Sequence, residues 1–127
     1  MMIMITGSRY LQDKQLVSTV LAQYDQDDVV LIHGAAKGAD SLAHEVSQEL
    51  GWSIIEFPAD WSLGAKAGPL RNQAMIDMVP DVVIAFPLNN SKGTWDAVNR
   101  AIHERIPVHI VHNINYIEKI DPEPTLF

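Results

Sequence analysis

The sequence predicts a doubly wound α/β domain: a mainly parallel sheet of five strands with helices on both faces. Three observations carry this. Short apolar runs alternate with stretches of helical periodicity. Two of the runs, Val29-Val30-Leu31-Ile32 and Val82-Val83-Ile84-Ala85-Phe86, are apolar throughout, as strands covered on both faces are. Three of the runs stop at a small, glycine- or hydroxyl-bearing turn where a helix begins, at Thr6-Gly7-Ser8-Arg9, at His33 to Ser41 and at Pro87 to Thr94.

Ile3 to Thr6 reads as the first strand. Asp13 to Tyr24 follows as a helix, with Leu16, Val17, Val20 and Leu21 at helical spacing. After the second strand, Asp40 or Ser41 caps a helix with Leu42, Ala43, Val46 and Leu50 inward and Gly51 at its end. Ser53 to Phe57 is the third strand. Gly68-Pro69 opens the next helix, since proline is tolerated in a first turn; its expected inner face is Leu70, Ala74, Met75 and Met78. After Val82 to Phe86, a helix over Thr94 to Arg105 carries Trp95, Val98, Ala101 and Ile102 on one side, and Val108 to Val111 is the fifth strand. Residues 1–112 are expected to form one domain. For the tail, 113–127, the alternatives are an extra strand, a contact between copies or a loose end.

The chain has 127 residues, 47% of them hydrophobic and 20% charged, enough apolar material for one packed core. No apolar stretch approaches a membrane span. The apolar start lacks a basic flank and a cleavage site, so it reads as a strand and not a signal peptide. There are no cysteines, which removes disulfides, thiol catalysis and thiolate metal sites and fits a cytoplasmic setting. The formal net charge of −7 disfavours nonspecific nucleic-acid binding, which needs a basic surface.

The three strand–turn–helix junctions carry the functional reading. Each gathers free backbone N–H groups at the positive end of a helix dipole, a setting for phosphate, and each has a cation close in sequence: Arg9, Lys37 or Lys92. Gly7, Ser8 and Arg9 are candidate anion contacts, with a plain tight turn as the alternative. The spacing is neither the dinucleotide fingerprint nor a Walker loop, which disfavours a conventional NAD or ATPase site. Gly34 and Gly38, four apart with small residues between them, let the backbone approach a ligand closely, with Lys37 as the cation there. Asp40 is a helix cap or an acceptor for a ribose hydroxyl. Arg71 stands in a first helical turn, where the dipole repels cations, so it is read as a clamp for phosphate or carboxylate beside Asn72; the alternative is a salt bridge to Asp60 or Asp96. Ser91, Gly93 and Thr94 present N–H and O–H donors. Trp61 stacks on a base or covers the core. The five histidines show no metal-binding pattern, with only His33 at the ligand edge, so no metal and no cofactor is expected.

Taken in order, Gly7-Ser8-Arg9, His33 to Asp40, Pro58-Ala59-Asp60-Trp61, Ala67 to Asn72 and Ala85-Phe86-Pro87 through Gly93-Thr94 resemble the YspA-like branch of the SLOG superfamily. That superfamily is named for the Smf/DprA DNA-processing proteins and the LOG cytokinin-activating phosphoribohydrolases. The resemblance runs from the first strand to Val111. It implies a Rossmann-like sheet, a pocket for nucleotides or nucleotide-derived ligands, a bacterial or phage setting and homo-oligomerisation. LOG enzymes cleave an N-glycosidic bond with a motif like PGGxGTxxE and an upstream arginine. Here Gly93-Thr94 matches and Arg71 corresponds to the arginine, but Ala97 stands at the glutamate position. Asp96 is one residue away, which rotates a carboxylate by about 100° on a helix. The expectation is therefore a module that senses or sequesters a nucleotide-derived small molecule. The alternatives are a LOG-like hydrolase with Arg71 and Asp96 as catalytic residues, and DprA-like single-stranded DNA binding, which the acidic charge disfavours.

Overall fold

The computed structural model describes residues 1–88 and 91–122; Asn89 and Asn90 of the third junction and residues 123–127 of the tail lie outside the described residues. In chain order the elements are β1 (Met2–Gly7), α1 (Lys14–Ala22), β2 (Val30–His33), α2 (Ala39–Leu50), β3 (Ser53–Glu56), a 3-10 helix (Trp61–Lys66), α3 (Ala67–Ile76), β4 (Val82–Phe86), α4 (Lys92–His103), β5 (Val108–Asn113) and β6 (Tyr116–Ile120). The sheet has six strands where five were expected, in the order β3-β2-β1-β4-β5-β6. The first five run parallel, and β6 returns antiparallel on β5. β6 is an edge strand with only Ile117 and Ile120 packed on the core, so its apolar signal is too sparse to read alone.

Side chains alternate along β1 and β4. Ile3, Ile5, Val82, Ile84 and Phe86 enter the layer that α1 and α2 cover, with Val17, Val20, Leu21, Ala43 and Val46. Met4, Val83 and Ala85 enter the opposite layer, with Met75 and Ile76 from α3 and Ala97, Val98 and Ala101 from α4. Burial on both faces explains why these strands are continuously apolar.

Two helices sit on their sheet differently from the hydrophobic pattern. On α3 the buried positions are Ala67, Asn72, Met75 and Ile76, while Leu70 and Met78 are exposed. The buried polar Asn72 sets that face through its hydrogen bonds to α4. On α4 the buried positions are Thr94, Ala97, Val98 and Ala101; small residues let the helix approach the sheet, and Trp95 and Ile102 flank it in solvent. Neither Asp40 nor Ser41 caps α2. Its N-cap is Gly38, with no side-chain cap.

The strand order reverses between β1 and β4, where the chain has wound outward through β2 and β3 and begins again toward β5. Their carboxyl ends meet in register at Gly7 and Phe86, and the Ser8 N–H donates to the Phe86 carbonyl at 3.0 Å. A crevice at such a reversal is the usual ligand position in an open α/β sheet.

Gly38 is the tightest backbone crossing. It has φ +74, and a Cβ there would lie 2.3 Å from the Ser8 carbonyl oxygen. Gly51 has nearly the same φ, +76, with nothing within 4 Å of an added Cβ. Gly51→Ala should therefore cost only the left-handed backbone penalty of about 1–2 kcal/mol, and Gly38→Ala at least about 3 kcal/mol as clash adds to strain. Urea unfolding of the two variants measures this, and equal losses would contradict the close approach.

Candidate functional site

A cleft of about 780 Å³ opens at the reversal point. One wall is the end of β1 and the turn after it, Gly7, Ser8, Arg9 and Tyr10. A second is the start of α4, Ser91 to Thr94 with Asp96. The third is α3 and the 3-10 helix, with Arg71, Asn72 and Trp61; Ala36 and Asp40 also reach the lining. Of the residues singled out from sequence, the cleft gathers Gly7, Ser8, Arg9, Asp40, Trp61, Arg71, Asn72, Ser91, Gly93, Thr94 and Asp96. Gly34, Lys37 and Gly38 stand outside its lining.

The three junctions are not equivalent, because the second is filled by the chain itself. The Gly34 and Ala36 N–H groups donate to Asp40 Oδ2 at 3.1 and 3.2 Å. The Ala39 N–H, at the start of α2, donates to the Ser8 carbonyl at 3.0 Å. The N–H groups of Gly34, Ala36 and Ala39 are thereby satisfied internally. Lys37 points to solvent. Gly34 has a packing reason to be glycine: a Cβ there would lie 2.3 Å from Arg71 Nη1.

The junction at α4 is open. Its N-cap, Ser91, makes no capping bond to the helix; its hydroxyl donates instead to the Leu88 carbonyl at 2.8 Å. Among the described residues, therefore, no side chain caps the first-turn N–H groups, which can meet solvent or a ligand. Thr94 is buried at the cleft wall, and its Oγ1 has no hydrogen-bond partner among the described residues. Such orphans are uncommon in a folded protein and call for an explanation.

Arg71 is half-buried and anchored at two points. Nη1 donates to the Gly34 carbonyl at 2.5 Å, and Nε donates to Asn72 Oδ1 at 3.0 Å. Neither Asp60 nor Asp96 forms an ion pair with it. Burial lowers its pKa, and the Asp40 charge opposes that. Asn72 Nδ2 donates to the Gly93 carbonyl at 3.2 Å and to Asp96 Oδ2 at 3.0 Å, tying α3 to α4. Asp96 Oδ2 also accepts from Arg100 Nε at 2.9 Å. Burial works against the Asp96 charge, but the bonds from Arg100 and Asn72 outweigh it and hold its pKa below the usual range. Asp96 Oδ2 thus accepts from two donors and ties α3 to α4.

Asp40 is the opposite case. Burial pushes its pKa from 3.8 up to about 6, against the N–H groups of Ala36 and Gly34 and the Arg71 charge, which pull it down. Its Oδ1 is buried without a partner. Trp61 is 62% exposed and stands at the cleft, not over the core.

Sequence reasoning missed Tyr10 and Leu88 at the cleft, which carry no motif. It also missed a cluster of His33, His44 and Glu56, whose donor atoms lie within 4.8 Å of one another. His33 and Glu56 are partners in the β2–β3 register, so the cluster is legible only once those strands are known to be neighbours.

The raised Asp40 pKa has a measurable consequence. The folded state binds this proton more tightly than the unfolded chain, so stability falls as pH rises from about 4 to about 6 and then levels. Asp40→Asn keeps a carbonyl oxygen for Gly34 and Ala36 and removes the buried charge. It should match wild type at pH 4 and exceed it by roughly 2–3 kcal/mol at pH 7. Denaturant unfolding at both pH values checks this, and an unchanged difference between them would contradict it.

Comparison with known proteins agrees with this architecture. DNA processing protein A (DprA) from Streptococcus pneumoniae superposes with a TM-score of 0.73 over 87% of this chain, at 19% identity, which is a likeness of fold. The chain spans 50% of that protein. The Gene 61 protein of Mycobacterium phage D29 is 36% identical over 115 residues, covering 84% of this chain and 92% of the phage protein. The sequence profile of the YspA, cpYpsA-related SLOG family matches residues 1–64, which hold the β1 turn, the Gly34–Asp40 loop and Trp61. On these matches the chain belongs to the YspA, cpYpsA-related SLOG family.

Proposed function

We propose that the cleft binds a nucleotide or nucleotide-derived ligand through its phosphate, and that the protein acts as a sensing or sequestering module. The observation that carries this is the start of α4, which no side chain caps among the described residues, with the Thr94 hydroxyl beside it lacking a partner among them. A helix start with free N–H groups and an adjacent buried O–H suits an oxyanion. Arg71 adds a cation already held by Gly34 and Asn72, so little side-chain entropy is lost on binding. Arg9 and Lys92 supply further charge at the rim. Asp40 also lines the cleft, and its buried Oδ1, without a partner among the described residues, is the acceptor offered to a ligand hydroxyl such as those of ribose. The exposed face of Trp61 offers a stacking surface for a base. Retaining Asp40 ionised near neutral pH costs stability, which is the pattern of a group kept for binding. Among the described residues no helix is long and apolar enough to cross a membrane.

One observation favours turnover as a second reading. In an N-glycosidic hydrolase the acid–base carboxylate would be Asp40, whose pKa near 6 suits proton transfer, and not Asp96, whose Oδ2 is held by Arg100 and Asn72. Release of free base from nucleoside monophosphates, lost in Asp40→Asn, would establish it. Single-stranded DNA binding rests on fold likeness alone and predicts affinity falling steeply with salt.

The test is a thermal-shift screen of mono-, di- and cyclic nucleotides and NAD-derived metabolites, since a ligand of the native state raises Tm. Thr94→Val keeps the shape and removes the orphan hydroxyl. It should leave the free protein as stable or more so, and weaken the best hit about tenfold. Arg71→Ala should abolish the hit. No hit at millimolar ligand, or a hit indifferent to both substitutions, would overturn the proposal.

A further inference from the structure

His33 ends β2, Glu56 ends the neighbouring β3, and His44 comes down from α2 onto the same point. His33 Nε2 and His44 Nδ1 are 2.9 Å apart. Glu56 Oε1 lies 3.8 Å from His33 Nε2 and 3.6 Å from His44 Nδ1. None of the three lines the cleft.

We propose that His33, His44 and Glu56 form a binding site for a divalent transition-metal ion, zinc or cobalt in class. Four-coordinate zinc with ligands at about 2.0–2.1 Å sets neighbouring donors about 3.3 Å apart. The three separations here bracket that value, so the backbone already brings the donors together. Two imidazoles and a carboxylate, with no thiolate, suit borderline cations over calcium or magnesium. His33 is 2% exposed, so one ligand is fixed by packing. The side chains of His44 and Glu56 are 31% and 53% exposed, which leaves an entry path and room for water as a fourth ligand. Among the described residues no other group of histidine, aspartate and glutamate converges in this way.

The proton inventory gives the site a consequence. The Ala35 N–H donates to His33 Nδ1 at 2.9 Å, so in the neutral ring Nε2 carries the proton and aims it at His44 Nδ1. A metal on Nε2 takes the place of that proton, which moves to Nδ1 and displaces the Ala35 N–H. Ala35 sits at φ +55, in the left-handed region that a non-glycine residue occupies at a cost. Metal binding therefore acts on the Gly34-Ala35-Ala36 loop, whose Gly34 carbonyl seats Arg71. The site stands whether or not the cleft binds nucleotides.

The test uses the full chain, freed of metal by chelation, and titrates cobalt followed by zinc. The expected result is one equivalent of cobalt with the visible spectrum of a four-coordinate ion, displaced by zinc. The amide resonance of Ala35 should move on binding. His44 is half-buried and Glu56 exposed, so His44→Ala and Glu56→Gln should fold; each should weaken binding by at least about tenfold, since even losing an outer hydrogen-bond partner of a metal ligand costs that much. His112→Ala, which removes an exposed histidine paired with Glu118, should leave it unchanged. No cobalt spectrum with a molar excess of metal, or binding that survives both His44→Ala and Glu56→Gln, would overturn the proposal.

Discussion

The Asp40 carboxylate is the interaction on which the ligand edge depends. Its Oδ2 gathers the Gly34 and Ala36 N–H groups and so fixes the loop between β2 and α2. With the loop fixed, the Gly34 carbonyl faces Arg71, and the absence of a side chain at Gly34 lets the guanidinium lie against it. Arg71 in turn orients Asn72, and Asn72 joins α3 to the start of α4 through Gly93 and Asp96. A chain of polar contacts thus runs from β2 across the cleft to the helix start proposed to hold phosphate. Below it lie two apolar layers that need only small residues such as Ala97 and Ala101 to bring α4 close.

The geometry also separates roles that look alike in sequence. Asp40 and Asp96 both sit near the start of a helix beside the cleft. Asp96 spends its charge on Arg100 and Asn72 and stays ionised below the usual range, while Asp40 is buried, raised toward neutral pH and keeps one oxygen without a partner. The three glycine junctions likewise divide. The β2 junction is closed by Asp40 and Ser8, while the turn after β1 and the start of α4 line the cleft.

The α/β alternation was legible because β2 and β4 lie buried on both faces and so carry no polar interruption. The switch-point edge was legible because glycine and hydroxyl residues cluster there. What the sequence hid follows from interactions between distant residues. The inner face of α3 is set by Asn72, a polar residue that a hydrophobic pattern leaves out. The capping role expected of Asp40 failed because its carboxylate reaches back to the preceding loop instead of its own helix. β6 has too few inward apolar residues to stand out, and the convergence of His33, His44 and Glu56 requires the register of β2 with β3.

The most direct test of the central claim is an amide-resolved NMR titration of the protein with adenosine monophosphate. The account predicts that the largest shifts fall on the backbone amides of Ser8, Gly93 and Thr94 and on the Arg71 side chain, with the Trp61 indole moving as the base stacks. Shifts centred elsewhere, or none at millimolar nucleotide, would contradict it.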